Sequence, residues 1–228
     1  MKFYTVCTLP HYFPDDVYKL KRQLVVYYGG TVDLYVYTDR PHLFDDSVNT
    51  IPISHNLCQR QWYKVDFLGD NITTGDDPII ILDLDWTIFD DVTDVIDTPI
   101  ERNEFRTVER WWRNKDTDIL TVNGGMYKFY PGTCKRAYNT FYSNPRFWQT
   151  TYFGPNRIEG EQNFVADVIA LTHNITHFPG KKIGRWSSDR IRNETYMECY
   201  ERDFSEPLIT DGKFNSQIAL LHARLSYS

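Results

Sequence analysis

A chain of 228 residues with 41% hydrophobic side chains is long enough to bury one continuous α/β core. The formal net charge of −6 and a pI of about 5.5 oppose a broad contact with phosphate backbone, so no nucleic-acid partner is expected. A small diphosphate, held by a few local cations and a bridging metal, stays within reach. Aromatic residues make up 16% of the chain, and most of them must serve the core, leaving some faces for stacking on sugars or bases. The four cysteines, Cys7, Cys58, Cys134 and Cys199, include no CxxC pair, so they indicate neither a zinc knuckle nor a disulfide framework. Met1 runs directly into the strand-like FYTVCT, without the basic and apolar regions of a signal peptide. No apolar run is long enough to span a bilayer. Cytoplasmic residence is therefore expected, with the sequons at Asn71, Asn174 and Asn193 as chance matches.

Phe3 to Thr8 reads as an opening strand stopped by Pro10. Pro14-Asp15-Asp16 marks a helix start, with acids where the helix dipole favours them. Val17, Leu20, Leu24 and Tyr27 or Tyr28 follow at helical spacing, and Gly29-Gly30 ends the run. Val32 to Tyr37 is the second strand, delivering Asp39 just past its end, and a short strand follows near Val48 to Ile53. Gln59 to Leu68 reads as a helix carrying Arg60 and Lys64 one turn apart on one face. Pro78 to Leu82 is apolar on both faces, as a central covered strand requires, and it ends in Asp83-Leu84-Asp85. Downstream, Ile119 to Phe129 reads as a strand interrupted by Asn123-Gly124-Gly125. Thr133 to Tyr142 and Glu161 to Leu171 read as helices, and Ile218 to His222 as a closing strand. The order implies a mainly parallel sheet flanked by helices in one domain, whose ligands gather at the carboxyl ends of the strands. The expected division is a nucleotide-binding half over residues 1–90 and an acceptor-side half over 91–228.

Two carboxylates one residue apart at the mouth of a buried strand are costly unless something positive lies between them. A hard divalent cation suits that place, because it takes oxygen ligands and leaves positions open for phosphate. A turn at Leu84 would bring both side chains to one ion.

In this context the chain resembles the GT-A (Rossmann-like) glycosyltransferases, in particular the small domains of large DNA (algal) viruses and related bacterial enzymes. The matching pieces run in order through nearly the whole chain: FYTVCT, VYTDR, WYKVDFL, ILDLDWTIFDDV, NGGMYKF, GEQNFVAD and IALLHARLSYS. The resemblance implies a nucleotide-sugar donor, favours a UDP-sugar, and implies Mn2+ (or Mg2+) as cofactor with a glycan or other hydroxyl acceptor as partner. A viral member would act in its host's cytoplasm, and further domains can follow residue 228.

Carried over by position, Thr5, Cys7 and Thr8 would line the nucleobase pocket, with Asp39 beside the base or ribose. Asp83 would meet the ribose and the metal, Asp85 would hold the metal as a catalytic Lewis acid, and Leu84 between them would line the donor site. His222 resembles the late His that completes the metal's coordination. The glycine and Lys-Pro that usually follow it are here Ala223, Arg224 and Leu225, with Arg224 as a substitute diphosphate cation. Lys64 and Arg60 are the candidate cations for the donor's phosphates or sugar. Asn123, Gly124 and Gly125 would let the backbone approach the donor sugar, or would form a bulge. Glu161 is a candidate catalytic base, or simply an acid favoured at a helix N-terminus, with Gln162 beside it at the donor. Trp111-Trp112-Arg113 is a candidate acceptor-stacking segment.

Two other readings fit parts of the pattern. IILDLDWT also resembles the nucleophile motif of haloacid-dehalogenase-like phosphohydrolases, with Lys181 and Asp189 as the later residues. That motif normally opens its domain, whereas here strand, helix and strand precede it. A non-catalytic nucleotide-sugar-binding module is the other alternative. A nucleotidyltransferase would need a glycine-rich N-terminal loop, and TVCTLPHYF contains no Gly.

Overall fold

The computed structural model describes residues 1–88, 90–109, 122–152, 160–179, 183–187, 209–210, 213–214 and 220–224. The first half alternates as expected: β1 (Lys2–Cys7), α1 (Pro14–Tyr27), β2 (Asp33–Thr38), β3 (Asn49–Pro52), a 3-10 helix (Arg60–Leu68) and β4 (Ile79–Leu82). There follow β5 (Trp86–Ile88), α2 (Thr93–Ile96), β6 (Glu104–Glu109), β7 (Val122–Phe129), α3 (Lys135–Ser143), α4 (Pro145–Thr151), α5 (Glu161–Ile169) and β8 (Asn174–His177). The remaining strands are β9 (Ile183–Ser187), β10 (Ile209–Thr210), β11 (Lys213–Phe214) and β12 (Leu220–Arg224).

The central sheet has the order β3-β2-β1-β4-β7-β6-β8. Neighbours are parallel except at β7, which runs antiparallel to both β4 and β6. The fold is therefore α/β with a mixed, mainly parallel sheet. The apolar run Ile79–Leu82 is the sheet's central strand, with all four residues at most 1% exposed, because helices cover both of its faces.

On one face α1 and α2 contribute Val17, Leu20, Leu24, Val95 and Ile96 to a core with Phe3, Val36, Ile80 and Leu82. On the other face the 3-10 helix, α3 and α5 supply Trp62, Val65, Phe141 and Phe164 against Tyr4, Ile79, Ile81 and Tyr127. Helix α1 begins where Pro14 and the acids mark it: the Phe13 N–H donates to Asp16 Oδ2 at 2.9 Å, closing its first turn.

A second, three-stranded sheet has the order β5-β12-β9. It builds on the chain directly after the acidic triplet, where the sequence showed no strand. The segment around Lys64 is a 3-10 helix rather than the expected α-helix, and this separates the two cations expected on one face. Arg60 is exposed and has a left-handed backbone (φ 50°), whereas Lys64 is 4% exposed. With about three residues per turn, positions four apart do not stack.

Candidate active site

The carboxyl ends of β1, β2 and β4 lie side by side, as three neighbouring parallel strands require. They carry Cys7 and Thr8, then Asp39, then Asp83-Leu84-Asp85. Leu84 is 2% exposed and sits in the core, so the chain turns there with the two aspartates on either side. The turn is tied to β7 through one acceptor: the Gly125 carbonyl receives the Asp83 N–H at 2.9 Å and the Trp86 indole N–H at 2.6 Å.

Lys64 lies at the centre. Its Nζ donates to the Gly124 carbonyl at 2.7 Å and lies 3.1 and 3.2 Å from the two oxygens of Asp83. Glu161 Oε2 is 3.2 Å away on its other side. Burial alone would depress the ammonium, but Asp83 and then Glu161 outweigh it and hold Lys64 above its ordinary value, so it stays charged. Glu161 is 1% exposed, and its other oxygen accepts the Tyr127 hydroxyl at 3.0 Å. Burial pushes its carboxyl up to about 7; Lys64 and the Tyr127 hydroxyl oppose the rise, and Asp83 adds to it. The two oxygens of Glu161 thus face Lys64 and the Tyr127 hydroxyl. Two carboxylates meet at one buried ammonium.

Asn123, Gly124 and Gly125 are buried within β7. The β6–β7 ladder breaks at them: Thr107 pairs with Tyr127 but the next residue, Val108, pairs with Asn123, so Gly124, Gly125 and Met126 of β7 are passed over in the pairing. Thr107 fills the shift: its hydroxyl donates to the Asn123 carbonyl at 2.7 Å and accepts the Asn123 N–H at 3.2 Å. A Cβ on Gly124 would meet Lys64 Nζ at 3.1 Å, Gln162 Cβ at 3.2 Å and Glu161 Oε2 at 3.2 Å. The irregular ladder expected of the glycines is present, and the groups that approach Gly124 closely are Lys64, Glu161 and Gln162. Gln162 Oε1 accepts the Gly124 N–H at 2.6 Å and ties the N-terminus of α5 to β7.

Of the expected base-pocket residues, Thr5 is fully buried and its hydroxyl has no hydrogen-bond partner. Cys7 is 4% exposed, and burial, then Asp16 and Asp39, pushes its thiol up to about 12, so it is a neutral wall rather than a nucleophile. The Thr8 carbonyl accepts the His11 and Tyr12 N–H groups in the turn after β1, and Asp39 is exposed beyond β2. The strand register puts the His222 backbone opposite Trp86, the residue after Asp85, and Arg224 opposite Ser187. His222 and Arg224 therefore join the site's neighbourhood through a strand pairing. Trp111-Trp112-Arg113, Lys181 and Asp189 lie outside the described residues.

Sequence reasoning missed Tyr127 and Trp86, which brace Glu161 and the acidic turn. Both stand in the quoted motifs, but a buried aromatic in a strand carries no sign that its polar tip has a partner.

No protein-family model matches this sequence, and no curated protein matches it significantly. The fold does have solved counterparts. The glycosyltransferase GlyE of Streptococcus pneumoniae TIGR4 superposes in its apo form with a TM-score of 0.62 at 12% identity, over 99% of this chain. This chain spans 54% of that one, about half its length. The galactosyltransferase LgtC, solved with donor and acceptor sugar analogues, matches with a TM-score of 0.54 at 11% identity, over 98% of this chain and 87% of LgtC. An active-site mutant of LgtC matches with a TM-score of 0.56. These likenesses give no support to the viral part of the resemblance and do not favour the phosphohydrolase reading. The chain has the GT-A fold of these glycosyltransferases.

Proposed function

We propose that the protein is a metal-dependent glycosyltransferase that moves a sugar from a nucleoside-diphosphate sugar, a UDP-sugar, to a glycan or other hydroxyl acceptor. The observation that carries the reading is the buried Lys64 ammonium held between Asp83 and Glu161 over Gly124, at the strand ends where this fold collects ligands.

The donor set fits a hard divalent cation, Mn2+ or Mg2+. Asp83 and Asp85 offer oxygens beside the buried Lys64 and Glu161. His222 would complete the set from β12. When bound, the metal would act as a Lewis acid toward the charge that develops on the leaving diphosphate. The chain's own residues supply the rest. Lys64, held in place by Glu161 and Gly124, presents a fixed positive charge next to the acidic turn and needs no reorganisation as charge develops. Glu161 acts as a positioning residue: Tyr127 orients its carboxyl, which in turn orients Lys64. Thr5, Cys7, Thr8 and Asp39 would receive the nucleobase and ribose. Gln162, Asn123, Gly124 and Gly125 would face the donor sugar, and Arg60 and Arg224 would meet the diphosphate.

The test is a panel of nucleotide sugars with and without Mn2+, followed by calorimetry and product release. Manganese-dependent turnover of at least one donor is expected. Asp85→Asn should abolish metal-dependent donor binding while the far-ultraviolet circular dichroism is unchanged. Binding of every donor without metal, or full manganese-dependent turnover in that variant, would remove the metal from this site.

A further inference from the structure

On the 3-10 helix, Lys64 faces Asp83 while Asp66, two residues on, faces a different set of polar groups. Asp66 is 3% exposed and Cys58 5% exposed. His55, from the loop before the helix, brings Nε2 to 3.1 Å from Asp66 Oδ2. Tyr142, near the end of α3, puts its hydroxyl 3.0 Å from the same His55 Nε2 and 3.5 Å from Cys58 Sγ, and donates to Asp66 Oδ1. The ligating atoms of His55, Cys58 and Asp66 all lie within 4.8 Å of one another, and no other such group of three occurs among the described residues.

We infer that His55, Cys58 and Asp66, with the Tyr142 hydroxyl at the fourth corner, form a binding site for one zinc-class divalent cation. The site is separate from the proposed donor site. A tetrahedral zinc with bonds near 2.0–2.3 Å sets its ligand atoms roughly 3.3–3.8 Å apart. His55 Nε2 and Asp66 Oδ2 are already 3.1 Å apart, and Cys58 Sγ, within 4.8 Å of both, closes in by a side-chain adjustment. Chemistry favours zinc over manganese or magnesium: a thiolate and an imidazole are soft and borderline donors, whereas the latter ions want oxygen. Charge also balances, because a Cys58 thiolate and an Asp66 carboxylate together neutralise the dication inside a buried site. The thiol proton leaves to solvent on binding.

His55 must also change its tautomer. The Leu57 N–H points at His55 Nδ1 at 3.3 Å, which places the ring proton on Nε2, where it is donated to Asp66. With the cation on Nε2, the proton moves to Nδ1 and the Leu57 N–H turns to solvent. Leu57 is 51% exposed, so its N–H finds water easily. The ion would staple three pieces together: the loop carrying His55 and Cys58, the helix carrying Asp66 and Lys64, and α3. In that way it would fix the helix that supplies the central ammonium.

The test uses Co2+ as a spectroscopic probe and Zn2+ for affinity, on the full chain in excess Mg2+. One equivalent of Co2+ should give a near-ultraviolet thiolate-to-cobalt band, and Zn2+ should displace it. Cys58→Ser should lose the band and bind Zn2+ at least roughly tenfold more weakly, the minimum effect of disturbing a metal's surroundings. Cys134→Ser, which alters a buried thiol beside His173, should keep both. Should Cys58→Ser fail to fold, Asp66→Asn and His55→Gln serve in its place: each should keep the thiolate band but weaken Zn2+ at least roughly tenfold. Absence of the band in the native chain, its survival in Cys58→Ser, or unchanged Zn2+ affinity in Asp66→Asn and His55→Gln would each reduce the cluster to a metal-free hydrogen-bond network.

Discussion

At the scale of single residues, the triad of Asp83, Lys64 and Glu161 sets a pH dependence whose sign can be worked out. Glu161 has an ordinary value of 4.5 and is pushed up to about 7 in the folded chain, chiefly by burial. The folded state therefore holds a proton that the unfolded chain has already released. The stability this contributes is fully present below pH 4.5 and is lost as pH rises through about 7. At about 1.4 kcal/mol per pH unit, the loss is on the order of 3 kcal/mol across that window. Glu161→Gln keeps the shape and removes the titration. Urea unfolding of both proteins from pH 4 to 8 should show native stability falling relative to the variant between about 4.5 and 7, with the difference flat above that. Parallel curves would mean that Lys64 keeps the carboxyl ionised throughout. The sequence pointed to Asp83 because paired carboxylates at the end of a buried strand are unusual, and to Glu161 and Gln162 through the resemblance carried by GEQNFVAD. It did not reveal that Glu161 faces inward, since a first-turn acid looks the same whether solvent or a buried lysine meets it.

At the scale of elements, β7 is where the sheet gives up regular pairing to make room for the site. Gly124 is required there by crowding and not by an unusual backbone angle: three atoms from Lys64, Gln162 and Glu161 lie between 3.1 and 3.2 Å from where a Cβ would sit. Gly124→Ala should cost about 1–3 kcal/mol, as overpacking does, and should displace Lys64 and the α5 N-terminus together. Gly132→Ala is a useful contrast, because its left-handed φ of 76° is strained while nothing lies within 4 Å of the added Cβ. Both variants should melt below the native chain, but only Gly124→Ala should weaken manganese-dependent nucleotide binding, as calorimetry would show. Equal effects on binding would separate the glycine from the site.

The same contrast explains which elements could be read in advance. Strands β1, β2 and β4 stand out as dense β-branched and aromatic runs, and α1 is marked at both ends. Strand β6 (EFRTVE) buries Arg106 and Thr107 in its middle, and β5 and β8 span only three and four residues, so none shows a run or an alternation long enough to notice. The 3-10 helix was misread in type because a chain buried on most sides shows no clean helical stripe.

For the molecule as a whole, the boundary expected near residue 90 runs through a shared sheet. Strands β3, β2, β1 and β4 come from the first half and β7, β6 and β8 from the second, and they meet at the β4–β7 ladder from Ile79↔Phe129 to Leu82↔Met126. The candidate site lies across that same boundary: Lys64 Nζ bonds the Gly124 carbonyl, and the Asp83 N–H bonds that of Gly125. A fragment ending at residue 90 would expose one edge of β4, along with the apolar side chains that β7 and α5 cover. A fully buried Ile or Leu is worth about 1.5–3 kcal/mol, so that fragment should not unfold cooperatively on its own. The intact chain should unfold in one transition by circular dichroism and tryptophan fluorescence alike. UDP with Mn2+ at a hundred times its Kd should stabilise it by about 2.7 kcal/mol. With the proposed contacts spanning the boundary, the single transition should move upward as one, by roughly 5–10 °C for a chain of this size. A split into two transitions, with only the first shifted by nucleotide, would show the halves to be independent and would confine the donor site to residues 1–90.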